Sequence, residues 1–257
     1  MAPLHVLVVG GHGKVAQHLT PLLLKRSWTV TSLIRAQEQV PTIQKLGSGQ
    51  PGQLNVLVSS IEDVDSQDKA IELLREIKPD LIAFSAGELA TFRIDRDAAS
   101  HLIRAAATFP SIKRFLLVSY NGSRRFSAPW WPAGEWDEYN KQVNHGPLAR
   151  YYQAKLSADE VLYQVSKASS TLVGIDLRPC QLTLEPAGKV ELGKSSHAAG
   201  LVSRESVARV ADALLAAEGV KNTWLDLADG DEDIDAAVER VIREGVDAAE
   251  GDPVFEQ

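Results

Sequence analysis

The sequence predicts a doubly wound α/β fold, a mostly parallel sheet of about seven strands with helices on both faces. Three observations carry that expectation. Short apolar runs alternate with segments of helical periodicity along the 257 residues. The first apolar run, residues 4–9, passes straight into Gly10-Gly11-His12-Gly13 and then into a helical pattern. No low-complexity linker or internal repeat divides the chain, so residues 1–257 are expected to form one domain.

Strands are expected at 4–9, 29–35, 54–58, 81–84, 114–119, 171–178 and 224–227, each a short run rich in Val, Leu and Ile or a clear alternation. Helices are expected between them at 14–25, 67–77, 94–108, 151–166, 204–217 and 233–244. In the segment 94–108, Ala98, Leu102, Ala105 and Ala106 share one face, as a helix lying on a sheet requires. Pro79 stops one helix just before a strand, and Pro110 stops another. The long irregular stretch 121–146 holds three of the five tryptophans, Trp130, Trp131 and Trp136, with Tyr139. Loops of that length inside compact domains are usually functional or disordered, and the aromatics speak against disorder. Segments 121–150 and 179–203 are therefore expected to form a small substrate-side cap, its aromatics walling an apolar or ring-containing substrate.

Composition narrows the function. A net charge of −7 speaks against a nucleic-acid or anionic-membrane surface, which needs a basic excess. One cysteine, Cys180, excludes an intrachain disulfide framework, and the six histidines show no metal-ligand spacing, so no metal site is expected. No apolar run reaches the roughly 18 residues of a membrane span, and the N-terminus lacks a signal-peptide pattern, so a cytoplasmic location is expected.

The glycine turn after the first strand is a dinucleotide-phosphate cradle. Glycine lets the backbone approach a diphosphate, which sits on the N–H groups and positive dipole end of the following helix. A P-loop is excluded, because Val15 follows Gly13-Lys14 where a magnesium-binding Ser or Thr is required. Arg35 ends the second strand, about 20 residues beyond the glycines, where an acid would bind a ribose 2′-hydroxyl and an arginine accommodates a 2′-phosphate. NADP(H) is thus favoured over NAD(H). Tyr151 and Lys155, four apart, share a helix face, so the ammonium can favour the phenolate and the pair can exchange a proton with a substrate oxygen. Tyr163 and Lys167 repeat the spacing, but lie about 18 Å further along the helix, away from the cofactor edge, and are expected on its surface.

The order of these parts resembles the short-chain dehydrogenase/reductase superfamily, above all its atypical, compact fungal-type branch related to NmrA-like proteins, over about residues 6–227. Val9-Gly10-Gly11-His12-Gly13-Lys14-Val15-Ala16 stands where that family carries TGxxGxxG, with Ala16 in place of the last glycine. Ser85-Ala86-Gly87 is similar to the turn beside the cofactor, and Ser60-Ile61 stands where many relatives carry Asp-Leu against the adenine. Leu177-Arg178-Pro179-Cys180 matches an Arg-Pro-Gly near the nicotinamide. The resemblance implies a Rossmann-type fold, Tyr151 as acid–base, and Lys155 as its activator and ribose ligand. It implies cofactor contacts from Gly10, Gly13, Lys14, Val15, Arg35, Ser60, Ile61, Ser85, Ala86, Gly87, Lys155 and Arg178. The family's substrate-polarising hydroxyl is the second of a Ser-Ser pair, where this chain has Ser119-Tyr120; Ser119, Tyr120 and Ser123 are the candidates.

The expected function is an NADP(H)-dependent oxidoreductase acting on a small carbonyl, alcohol or related organic substrate, as monomer or homodimer. An NAD-dependent epimerase or dehydratase is the enzymatic rival, opposed by the short C-terminal region. A non-catalytic NmrA-like dinucleotide sensor is the other, opposed by the Tyr-Lys pair.

Overall fold

A computed structural model describes residues 3–87 and 92–256. Strand β1 (His5–Val9) leads into helix α1 (Lys14–Lys25), and then come β2 (Thr29–Ile34), α2 (Val40–Leu46), β3 (Gln53–Val58), α3 (Gln67–Ile77) and β4 (Leu81–Phe84). A π-helical turn, Arg93–Ala98, runs into α4 (Ala99–Ala106), followed by β5 (Arg114–Val118) and α5 (Glu135–Tyr139). Then follow α6 (Ala149–Ala168), β6 (Val173–Pro179), β7 (Gln181–Thr183), β8 (Val190–Gly193) and β9 (Leu201–Ser203). Helix α7 (Arg204–Ala216), β10 (Thr223–Asp229), α8 (Ile234–Glu244) and α9 (Pro253–Glu256) complete the order.

Among the described residues, eight strands form the main sheet in the order β3-β2-β1-β4-β5-β6-β10-β8. Every pairing is parallel except β10 with β8, where Asp226 faces Gly193 and Asp229 faces Val190. All seven expected strands are present. The eighth, β8, escaped sequence reading because Val-Glu-Leu-Gly is too short to show a period; its place comes from pairing along β10. Strands β7 and β9 form a separate parallel pair.

The centre of the sheet is buried on both faces, which is why β1 reads as an unbroken apolar run. Alternate residues of a strand face opposite ways. Val6 and Val8 pack with Leu19 and Leu23 of α1, Val207 and Leu214 of α7 and Val241 of α8. Leu7 and Val9 pack with Leu74 of α3, Leu102 of α4 and Leu162 of α6. Strand order reverses at β1, whose neighbours are β2 and β4. The carboxyl ends of β1 and β4 diverge there, and the resulting crevice is where such sheets bind ligands.

Two expectations need correction. The helix expected at 94–108 begins as the π turn, although Ala98, Leu102, Ala105 and Ala106 are buried as their spacing required. Tyr163 lies in the core, not on the helix surface: its hydroxyl donates to Asp247 Oδ2 at 2.8 Å and its ring meets Trp224 edge-on.

Candidate active site

The crevice at the strand reversal is a groove lined by the glycine turn, the end of β2 and the segment after β4. Gly10, Gly13, Arg35, Ile61, Ser85, Ala86 and Gly87, all expected cofactor contacts, line it together. His12, Leu33, Ile34, Gln39, Ser59 and Ile94 complete the lining. Their positions depend on how three βα turns converge, which local sequence does not reveal.

Glycine is obligatory at the turn. Gly10 has φ +79°, and a Cβ there would lie 2.6 Å from the Ala86 Cα. A Cβ on Gly11 would meet the Ser32 Oγ at 1.8 Å. Gly13 is the N-cap of α1 in extended conformation, with no capping side chain and no acid in the first helical turn. The leading N–H groups of α1 are therefore left to an anion, and the donor set fits a diphosphate. Lys14 is exposed at this helix start, and Val15 is buried beneath it. Ser60 turns aside: its Oγ accepts from the Glu62 N–H at 3.3 Å, while Ser59 takes the place in the lining.

Tyr151 and Lys155, on the first two turns of α6, do not line the groove themselves but come up behind Gly87, which does. A methyl group built on Gly87 would sit 3.8 Å from the Tyr151 hydroxyl and 3.7 Å from the Lys155 Nζ. Lys155 is buried; its Nζ donates to the Val118 carbonyl at 2.9 Å and lies 3.1 Å from Asp95 Oδ1. Sequence reading missed Asp95, which the π turn delivers to the lysine. Burial works against the Lys155 charge; the field of a Tyr151 phenolate and of the Asp95 and Asp159 carboxylates favours it, and the ammonium is held above the usual lysine range. The Tyr151 proton is held more tightly than the Lys155 spacing alone suggested. Burial pushes the Tyr151 phenol up, Asp95 and Asp159 push it further, and the Lys155 charge does not offset them.

The three candidate polarising hydroxyls are all engaged elsewhere. Ser119 donates to Asp159 Oδ2 at 2.8 Å and Ser123 donates to the same oxygen at 2.5 Å. The Tyr120 hydroxyl donates to Asn144 Oδ1 at 2.9 Å, with its ring 5.4 Å from that of Tyr151.

Arg178, expected as a cofactor contact, lies in the core and does not line the groove. It is fully buried, 4.0 Å above the Trp224 ring. Its Nε donates to Asp226, its Nη1 to Asp159 and Asp176, and its Nη2 to the carbonyls of Asn121 and Ser123. The guanidinium thus ties β6 to β10, to α6 and to the loop after β5. Burial pushes Asp159 up to about 6 and holds Asp176 well above the carboxylate range, despite the arginine between them.

The aromatic stretch packs inward. Trp131 and Trp136 are buried with ring centroids 5.7 Å apart, in a cluster with Ala128 and Ala198. Trp130 and Trp131 both donate their indole N–H to the Ser195 carbonyl, at 2.9 and 2.8 Å. Glu135 accepts from the Ala198 N–H at 2.7 Å and meets His197 Nδ1 at 3.0 Å. These aromatics bind segments 121–150 and 179–203 to each other. Cys180 is buried, and burial pushes its thiol up to about 12, which suits packing rather than nucleophilic chemistry.

Residues 10–218 match the model of a family described as NAD(P)H-binding. A UPF0659 protein of Schizosaccharomyces pombe is 31% identical over 213 residues, covering 79% of this chain and 81% of its own. The uncharacterized sugar epimerase YhfK of Bacillus subtilis is 28% identical over 244 residues, covering 92% of this chain and 99% of its own. Among solved structures, a Bacillus halodurans protein bearing the name NAD-dependent epimerase/dehydratase superposes with a TM-score of 0.70 at 27% identity. That match covers 92% of this chain and 99% of the other.

Proposed function

The chain belongs to the NAD(P)H-binding family, and on that premise we propose that it is an NADP(H)-dependent oxidoreductase acting on a small carbonyl or alcohol. One observation carries the reading: the Tyr151 hydroxyl and the Lys155 ammonium converge on Gly87, a lining residue of the groove. The glycine turn and the start of α1 would hold the diphosphate, and Arg35 a 2′-phosphate at the adenosine end. A bound nicotinamide supplies hydride transfer. Tyr151, protonated in its buried setting, donates a proton to the substrate oxygen as a carbonyl is reduced, and takes it back in the reverse direction. Lys155 stays charged on the Val118 carbonyl and Asp95, and its field stabilises the phenolate left behind. Segments 121–150 and 179–203 would close the substrate side over an apolar or aromatic molecule.

The test is a fluorescence titration with NADPH and NADH, followed by a panel of carbonyl substrates. NADPH should bind more tightly, and Tyr151→Phe should lower turnover by about 10²-fold or more with cofactor affinity unchanged. Tighter NADH binding overturns the Arg35 assignment, and full turnover by Tyr151→Phe overturns the acid–base role.

An epimerase or dehydratase is the second reading, favoured by the names of two relatives. This chain covers 99% of each, so compact size does not speak against that chemistry as the sequence argument held. Conversion of a sugar substrate with no net change in NAD(P)H absorbance would select it.

A further inference from the structure

Beneath Tyr151 and Lys155 lies a buried cluster with more carboxylates than cations. Asp159, Asp176 and Asp226 all contact Arg178, at 3.3, 3.1 and 3.2 Å, and all are at most 1% exposed. The neighbouring cations favour the ionised carboxylates through space but make their own contacts elsewhere. Lys155 is paired with Asp95, and Arg124 donates to the carbonyls of Phe126, Ala248 and Glu250. Asp159 and Asp176 meet the same guanidinium nitrogen through their Oδ2 atoms. Their Oδ1 atoms are buried without a hydrogen-bond partner among the described residues. Two ionised carboxylates sharing one nitrogen, each with a bare buried oxygen, form a costly arrangement. One proton on the pair relieves the like-charge repulsion at the shared guanidinium nitrogen, and the two carboxyls then titrate as a unit.

We propose that Asp159 and Asp176 hold a single proton between them, so that the floor under the Tyr151–Lys155 pair carries one negative charge fewer than its carboxylates would give. Asp159 lies one turn beyond Lys155 on α6, and its Oδ2 holds the Ser119 hydroxyl at the end of β5. The groups facing the pair are Lys155 and Tyr151 on α6, Arg178 on β6 and Asp226 on β10. Ser119, Ser123 and Arg124 follow β5, and Asp95 stands on the π turn. The pair is a positioning unit, apart from the atoms that react.

Infrared spectroscopy of the pure protein in heavy water, without cofactor or substrate, tests this independently of the redox reading. At neutral pH the surface acids are ionised, so the C=O stretch of a protonated carboxyl reports a buried one. That band should be present in the wild type and lost in Asp176→Asn, which leaves Asp159 as an ionised partner of Arg178 with no second carboxylate on the same nitrogen. Asp176→Asn should also match or exceed the wild-type melting temperature at mildly alkaline pH. Asp159→Asn serves if Asp176→Asn does not fold. If neither folds, wild-type stability must fall between about pH 5 and pH 8, because the folded pair binds a proton that the unfolded chain has released. The proposal is overturned by absence of the wild-type band, as a water bridging two carboxylates would give. A band surviving both substitutions, or flat wild-type stability across that range, overturns it equally.

Discussion

Gly10 combines a φ of +79° with a Cβ direction that points into Ala86. A side chain costs roughly 1–2 kcal/mol for the left-handed backbone, and the turn must also shift away from β4. Gly10→Ala should therefore lower the urea midpoint and weaken NADPH binding at least tenfold, checked by denaturation and by fluorescence titration. Residues of this kind were legible in the sequence because their reason is local: Gly10, Gly13, Arg35, Tyr151 and Lys155 have their meaning at fixed distances from a strand end or from one another. Arg178 and Ser119 were not, because their surroundings come from far along the chain. The carboxylates that claim them stand on α6, β6 and β10, and the Arg-Pro pattern alone does not say which way the guanidinium turns.

At the scale of elements, the ends of α1, α3 and β4 agree with expectation because each has a local stop, such as the left-handed Lys78 that closes α3 before Pro79. The π turn before α4 has no such signature. It widens one turn of an otherwise regular periodicity, and its result is tertiary: Asp95 reaches Lys155. That contact has a pH consequence. A carboxylate near the phenol disfavours phenolate and holds the Tyr151 proton more tightly. Asp95→Asn removes that charge, so Tyr151 should lose its proton at lower pH than in the wild type. The alkaline limb of the reductive pH–rate profile should move toward neutrality, and ultraviolet titration of tyrosinate should move with it.

Across the whole molecule, the sheet divides two apolar layers, and the charged cluster lies between β6, β10 and α6, touching 121–150 through Asn121 and Ser123 and 179–203 through Ser195. Among the described residues, no helix is long and apolar enough to cross a membrane. Segments 121–150 and 179–203 meet through Glu135, which bridges to His197 and the Ala198 N–H. Contact with the imidazole and two backbone N–H groups outweighs burial and holds the Glu135 carboxyl below its ordinary range, so this attachment is complete above that range and weakens as acid protonates it. Glu135→Ala should loosen the junction at neutral pH by about 1–2 kcal/mol, seen as faster proteolysis within 121–150 while the sheet stays protected from hydrogen exchange.

Two indoles hang from the single carbonyl of Ser195. Any rearrangement that parts segments 121–150 and 179–203 strands both N–H groups at once and exposes their rings to water. The chain therefore carries its own optical gauge: a red shift of intrinsic emission marks the parting of the two segments, readable in real time without a dye.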